Sequence, residues 1–237
     1  GTEPESKKGY QERGKFKSPL YLVNGNHDAH RRGPFQSPPP EIPPFQSFDQ
    51  KGAHFILMDN EDATLSEEQF QRLENDLKAN QGKPTFVAMH VPAKLSHVSW
   101  ASHLKKVMPF LANNTMHIPE QVKRFMNLMS QYQVKAVLTG HTHKGDQFVQ
   151  GGVTYATAGA TGGMRPGLGI QRDYFDIKVK DGKVDIQRVV LDKGSYNPVT
   201  YASELFDFYQ DLNQFNHQNL GWVYTPTVSL QYQGGIK

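Results

Sequence analysis

The stretch 20–28, Leu-Tyr-Leu-Val-Asn-Gly-Asn-His-Asp, joins a short apolar run to a polar turn. The same pattern recurs at 85–90, Thr-Phe-Val-Ala-Met-His, and at 134–143, Val-Lys-Ala-Val-Leu-Thr-Gly-His-Thr-His. Short apolar runs that end in turn residues predict buried strands. Ligands of an open α/β sheet bind outside the carboxyl ends of its strands. The three stretches therefore predict a site at one edge of a sheet.

The residues that follow these predicted strands are of the kinds that bind divalent metals. Imidazole nitrogens and an amide oxygen suit borderline metals such as Zn, Mn or Fe. A single histidine at a strand end is more often a hydrogen-bonded structural residue. Several such residues, each closing a strand, favour metal binding instead. Residues of these types follow all three runs: Asn26, His27 and Asp28 the first, His90 the second, and His141 and His143 the third.

These motifs carry a resemblance to a known family. Gly-Asn-His-Asp at 25–28, the lone His90 and Gly-His-Thr-His at 140–143 resemble the last three of the five motifs of the calcineurin-like metallophosphoesterases. The resemblance covers about residues 20–191. It implies an α/β sandwich of two mixed sheets with flanking helices. It also implies hydrolysis of a small phosphomonoester or phosphodiester by a hydroxide that two divalent metals (Mn, Fe, Zn or Ni) activate.

The resemblance also implies roles for individual residues. Asn26, His90 and His141 would bind one metal, and His143 would contribute to the other. His27 would contact the phosphoryl oxygens or protonate the leaving group, and Asp28 would orient its imidazole. The residues expected to contact substrate are His30, Arg31 and Arg32.

Two motifs that come earlier in the family, Asp-x-His and Gly-Asp-x-x-Asp, have no counterpart here. Residues 1–19 contain neither Asp nor His. We therefore expect the chain to be the C-terminal portion of a longer protein, with the N-terminal part of the fold missing. In the family these two motifs carry the carboxylate that bridges the two metals. Asp59, Asp146 and Asp173 are possible substitutes for it, but none has the motif context to be preferred.

Two alternative functions stay open at this stage. The missing motifs favour a non-catalytic scaffold for protein interaction with an incomplete metal site, but the His27-Asp28 pair argues against it. The second alternative is a metal-dependent hydrolase of another bond, such as an amide, and the Gly-Asn-His-Asp turn makes it the weaker one. Substrate panels and the upstream sequence would separate these classes.

Composition adds limits on size and partners. The chain has 237 residues, 37% of them hydrophobic, which is enough to bury a core. Its net charge of +3 comes from scattered basic residues, so no nucleic-acid surface is indicated. No apolar stretch approaches the ~20 residues of a membrane span. The absence of Cys does not indicate a compartment, and the oligomeric state is equally open.

We predict a lead-in at 1–18, a core at 19–194 and an extension at 195–237 that packs on the core. In the core we predict a strand at 54–58 and helices at 66–80 and 119–132. Hairpins are predicted to turn at 151–152 and 181–182. The long insertion 91–118 follows His90 and is expected to overhang the site. The remaining histidines are predicted to be structural (His54) or to lie on a lid or the surface (His97, His103, His117 and His217).

Overall fold

The computed structural model describes residues 15, 17–26, 42–96, 115–159 and 172–192. All of them belong to one compact unit, made of residues 1–164 and 170–193. A second unit, made of 165–169 and 194–237, lies outside the described residues. The predicted extension at 195–237 and nearly all of the predicted lead-in therefore stay predictions.

A six-stranded mixed sheet forms the centre of the fold, in the order β1-β2-β3-β4-β6-β5. Strands β2, β3, β4 and β6 run parallel, and β1 and β5 are antiparallel strands at the two edges. The strands are β1 (Phe45–Gln50), β2 (Ala53–Met58), β3 (Thr85–Ala88), β4 (Ala136–Thr139), β5 (Asp146–Gln150) and β6 (Val153–Thr157). Because four strands are parallel, their carboxyl ends meet at one edge of the sheet.

Two helices begin where their sequences predict. Helix α1 (Glu67–Ala79) starts with a complete capping box, in which the Gln69 amide donates to Ser66 Oγ (3.1 Å) and the Ser66 amide donates to Gln69 Oε1 (2.8 Å). Helix α2 (Pro119–Gln131) starts with its proline in the first turn. Within the described residues, no helix is long and apolar enough to cross a membrane.

The central sheet is covered on both faces. Successive side chains of a strand point to opposite faces, so each strand contributes to two clusters. One cluster packs the sheet against α1 and α2, and the other packs it against a second sheet, the hairpin of β7 (Arg172–Lys180) and β8 (Lys183–Asp192). The helix-side cluster includes Ile56, Val87, Val137, Phe70 and Phe125, and the hairpin-side cluster includes Phe55, Phe86, Leu138, Ile177 and Ile186. The predicted α/β sandwich is confirmed.

The apolar run at 20–23, in contrast, is not a strand. Leu20 and Tyr21 are 43% and 44% exposed, and a stacked ring contact joins Tyr21 to Phe48 of β1 with centroids 4.0 Å apart. Gln46 Nε2 donates to the Leu22 carbonyl at 3.5 Å. The segment is thus attached to the edge strand by side chains, without a backbone ladder to any described strand. The prediction of a strand here was wrong, because the run contacts β1 through the Tyr21 ring and the Leu22 carbonyl and not through a backbone ladder.

Candidate metal site

The pairing of β3 with β4 continues beyond both strands and brings the two histidine motifs together. The Met89 amide donates to the Leu138 carbonyl, and the Gly140 amide donates to the His90 carbonyl, both at 3.0 Å. His141 then adopts a left-handed backbone (φ 67°), which turns the chain out of the sheet. His90 and His141 consequently lie side by side at the carboxyl edge of the sheet.

Three side-chain atoms meet at this edge. Asn26 Oδ1 lies 2.9 Å from His90 Nε2 and 3.2 Å from His141 Nδ1. The two ring nitrogens are themselves 3.2 Å apart. The rings meet edge to face, with centroids 5.0 Å apart and planes at 77°. We call these three atoms the ligand triangle.

The spacing of the ligand triangle fits a shared cation. Metal–nitrogen and metal–oxygen bonds to Zn are about 2.0–2.2 Å, so two ligands lie roughly 3.4 Å apart at the tetrahedral angle and roughly 3 Å apart at right angles. Where the Asn26 amide oxygen accepts from both rings, the two N–H groups face each other at 3.2 Å. A metal removes this conflict because each of the three atoms presents a lone pair to it.

The ligand triangle depends on an amide as its third member. Among the residues that the structure describes, no group of three or more His, Cys, Asp or Glu side chains could hold a metal ion. Two imidazoles and the Asn26 oxygen therefore make up the candidate site. His143 lies two residues beyond His141 on the same turn, half-buried and also left-handed (φ 53°), and is not one of the three.

The position of Gly25 explains why the Gly-Asn-His-Asp motif begins with a glycine. The residue is buried, and a Cβ placed on it would lie 3.0 Å from His90 Cε1 and 3.2 Å from both ring nitrogens. Such contacts are tighter than ordinary van der Waals separations. The absence of a side chain thus lets the backbone before Asn26 lie against the His90 ring.

Asn60 is a residue that the sequence interpretation missed. It is 1% exposed, and its Oδ1 accepts hydrogen bonds from the amides of His90 and Val91, both at 3.0 Å. Its Nδ2 donates to the Val91 carbonyl at 2.7 Å. The available signal was its position two residues after the end of the buried strand β2, where the sequence interpretation considered the neighbouring Asp59 instead.

The three aspartates considered as substitutes for the bridging carboxylate all accept hydrogen bonds from other residues of the chain. Asp59 accepts from Asn24 Nδ2 (3.0 Å) and from the Glu61 amide (3.1 Å). Asp146 accepts from the amide and the hydroxyl of Ser96, at the start of the insertion after His90.

The third aspartate, Asp173, is fully buried in an ion pair with Arg188 (2.9 Å from Nε and 2.5 Å from Nη2) and also accepts from the Gly159 amide. A Cβ on Gly145 would overlap both side chains of this pair. The pair therefore packs against Gly145, at the end of the turn that carries His141 and His143.

Sequence comparison decides the family. The sequence profile of the calcineurin-like phosphoesterases matches residues 3–145, which is more than half of the chain. The chain belongs to this family. The match includes all three motifs and ends at Gly145, before the β5–β6 and β7–β8 hairpins. No curated protein matches the chain in sequence.

Solved structures with detectable similarity include members of several functional classes. GAP50, the anchor in the inner membrane complex of Plasmodium, is 17% identical, with TM-score 0.37, and the alignment covers 57% of this chain and 44% of that one. A dimetal phosphatase from Danio rerio is 14% identical (TM-score 0.36; 55% and 39% covered). A predicted 5′-nucleotidase from Staphylococcus aureus is 8% identical (TM-score 0.43; 76% and 39% covered). The chain spans less than half the length of these three proteins.

Five predicted residues of the phosphoesterase site lie outside the described part of the chain: His27, Asp28, His30, Arg31 and Arg32. The histidines predicted to lie on a lid or the surface, His97, His103 and His217, are outside it as well. Their roles stay predictions, as does the ligation of a second metal by His143.

Two further histidines lie away from the ligand triangle in the described structure. His54 is buried between Asp49 (Nδ1 to Oδ1, 2.7 Å) and Asp76 (Nε2 to Oδ1, 3.3 Å), near the start of β2. Hydrogen bonds from Lys83 and then His54 hold the pKa of the Asp49 carboxyl below its usual value. His117 is exposed and precedes α2.

Proposed function

We propose that the chain contributes to a metal-dependent hydrolase of phosphoesters, in which the ligand triangle binds one divalent metal. The observation that carries this proposal is the convergence of Asn26 Oδ1, His90 Nε2 and His141 Nδ1 within 2.9–3.2 Å of one another. Family membership supports the same reaction class, since calcineurin-like phosphoesterases are mostly hydrolases.

The metal and its three ligands would have separate roles in the reaction. A bound metal would act as a Lewis acid towards the phosphoryl oxygens and would supply hydroxide at neutral pH. Asn26, His90 and His141 would fix its position, and neutral imidazole is the binding form, so metal affinity is expected to fall with pH below the histidine range.

Other residues would act on the substrate. By resemblance, His143 would contribute to a second metal, and His27, oriented by Asp28, would donate a proton to the leaving group. His30, Arg31 and Arg32 would contact the phosphate of a small phosphoester. Arginine suits such contacts because its planar guanidinium binds phosphate oxygens in a bidentate manner.

The test is hydrolysis of an aryl phosphomonoester, an aryl phosphodiester and an aryl amide in the presence of Mn²⁺, with matched histidine variants. We expect the wild-type chain to hydrolyse a phosphoester. We expect His90→Ala and His141→Ala each to lower this activity by about 100-fold or more, because even residues that only hydrogen-bond to a metal ligand change activity by 10–100-fold. His117→Ala is the control, since His117 is an exposed histidine outside the ligand triangle.

Other outcomes would point elsewhere. Unchanged hydrolysis in His90→Ala and His141→Ala would refute the proposal. Metal binding without any hydrolysis would favour the non-catalytic scaffold, and cleavage of the amide alone would favour the other hydrolase class.

A further inference from the structure

Asn60 has a hydrogen-bonding arrangement that packing alone does not explain. The side chain is 1% exposed and directs all of its polar contacts to residues 89–91. Burying an amide is unfavourable unless its hydrogen bonds are made. Here the Asn60 bonds all fall on the backbone that carries His90, at the point where β3 has just ended.

The backbone of His90 is held from two sides. Its amide donates to Asn60 Oδ1, and its carbonyl accepts from the Gly140 amide, each at 3.0 Å. The next amide, that of Val91, donates to the same Asn60 oxygen, and the Val91 carbonyl accepts from Asn60 Nδ2. Beyond β3 the amides of His90 and Val91 bond to Asn60 and not to a neighbouring strand, and buried backbone amides require partners.

We infer that Asn60 is a positioning residue for His90. By fixing the peptide planes on both sides of the His90 Cα, it sets the direction in which the imidazole leaves the backbone, and thereby places Nε2 in the ligand triangle. The consequence for metal binding rests on the proposed function, whereas the effect on ring placement does not.

The expected effect follows from the length of the imidazole side chain. Sites of this kind tolerate deviations of about 0.5 Å or 10–20°. A rotation of that size at the backbone moves Nε2, several bonds away, by roughly 1 Å. Metal sites require their distances to within about 0.2 Å, so loss of the Asn60 bonds is expected to separate His90 Nε2 from the other two atoms.

The experiment compares Asn60→Ala with Asn80→Ala. Asn80 follows α1, its Nδ2 donates to the Asp76 carbonyl and carboxylate, and it lies at the opposite edge of the sheet. The first readout is the set of NMR cross-peaks between the His90 and His141 rings in metal-free protein, together with amide exchange at His90 and Val91. The second is Zn²⁺ affinity by calorimetry.

We expect Asn60→Ala to lose the ring–ring cross-peaks, to exchange both amides faster and to bind Zn²⁺ about 10–100-fold more weakly. Asn80→Ala should retain all three properties even if its Tm falls as far as that of Asn60→Ala. If Asn60→Ala does not fold, Asn60→Ser carries the same test, because its hydroxyl is too short to reach both amides.

Retention of the cross-peaks in folded Asn60→Ala or Asn60→Ser would overturn the inference. Failure of the wild-type chain to bind Zn²⁺, with cross-peaks that still depend on Asn60, would refute the proposed function and leave the positioning role intact.

Discussion

Gly25→Ala is a small change that the structure predicts to have a large effect on the ligand triangle. The added methyl group would lie 3.0 Å from His90 Cε1 and 3.2 Å from both ring nitrogens. Favourable separations between carbon atoms are about 3.5–4.0 Å, so either the ring or the backbone at residue 25 has to move by a few tenths of an ångström. Both movements change the distance between Asn26 and His90.

The size of the effect follows from the tolerance of metal sites. A displacement of a few tenths of an ångström exceeds the roughly 0.2 Å within which metal–ligand distances are held. We therefore expect Zn²⁺ or Co²⁺ affinity to fall by about 10–100-fold, which is 1.4–2.8 kcal/mol. Overpacking of the buried backbone is expected to cost a further 1–3 kcal/mol of folding stability, as a rough figure.

The assay pairs metal titration calorimetry with thermal unfolding followed by circular dichroism. Gly140→Ala is the matched control, because a Cβ at position 140 would lie 4.0 Å from His90 Nδ1, an ordinary contact. We expect Gly140→Ala to bind metal like the wild-type chain. Equal metal affinities in Gly25→Ala and the wild-type chain would show that His90 is not held against Gly25 in the metal-binding state, and would refute this reasoning.

Three further changes test the scaffold around the site. Arg188→Met leaves Asp173 buried without its main partner and is expected to lower the free energy of unfolding by about 3–5 kcal/mol in urea titrations, whereas a loss below 1 kcal/mol would contradict the assignment of a buried pair. Ser66→Ala removes the N-cap of α1 and should lower that free energy by about 1 kcal/mol, measured in the same way, and an unchanged midpoint would count against the capping box. The pKa of Asp49 is lowered in the native state, chiefly by Lys83, so its contribution to stability is present above pH 3.8 and is lost as the pH falls through the lower native value. Thermal unfolding at pH 2–7 should therefore show a smaller acid-induced fall in Tm for Lys83→Met than for the wild-type chain, and identical profiles would contradict this.

The elements that the sequence predicted correctly are those with local signals. The start of α1 follows from Ser66 and Gln69, three residues apart, whose hydrogen bonds need only the first turn of the helix. The β7–β8 hairpin follows from Asp181-Gly182, which supplies the two positive φ angles (51° and 73°) of the tight turn. Neither signal depends on the rest of the fold.

The elements that were missed depend on the rest of the fold. Strand β1 is largely polar, Phe-Gln-Ser-Phe-Asp-Gln, because it is an edge strand, and edge strands need little apolar pattern. Strand ends pointed correctly to His90 and His141, whereas the run before Asn26 is not a strand. The role of Asn60 was not accessible, since its partners are 30 and 31 residues away and meet it only in the folded chain.

The most direct test of the candidate metal site is anomalous X-ray diffraction from crystals soaked with Mn²⁺ or Zn²⁺, measured at the absorption edge of the metal. The account predicts a peak about 2.0–2.3 Å from each of Asn26 Oδ1, His90 Nε2 and His141 Nδ1. A well-diffracting soaked crystal with no peak at this position, or with its metal held elsewhere, would contradict it.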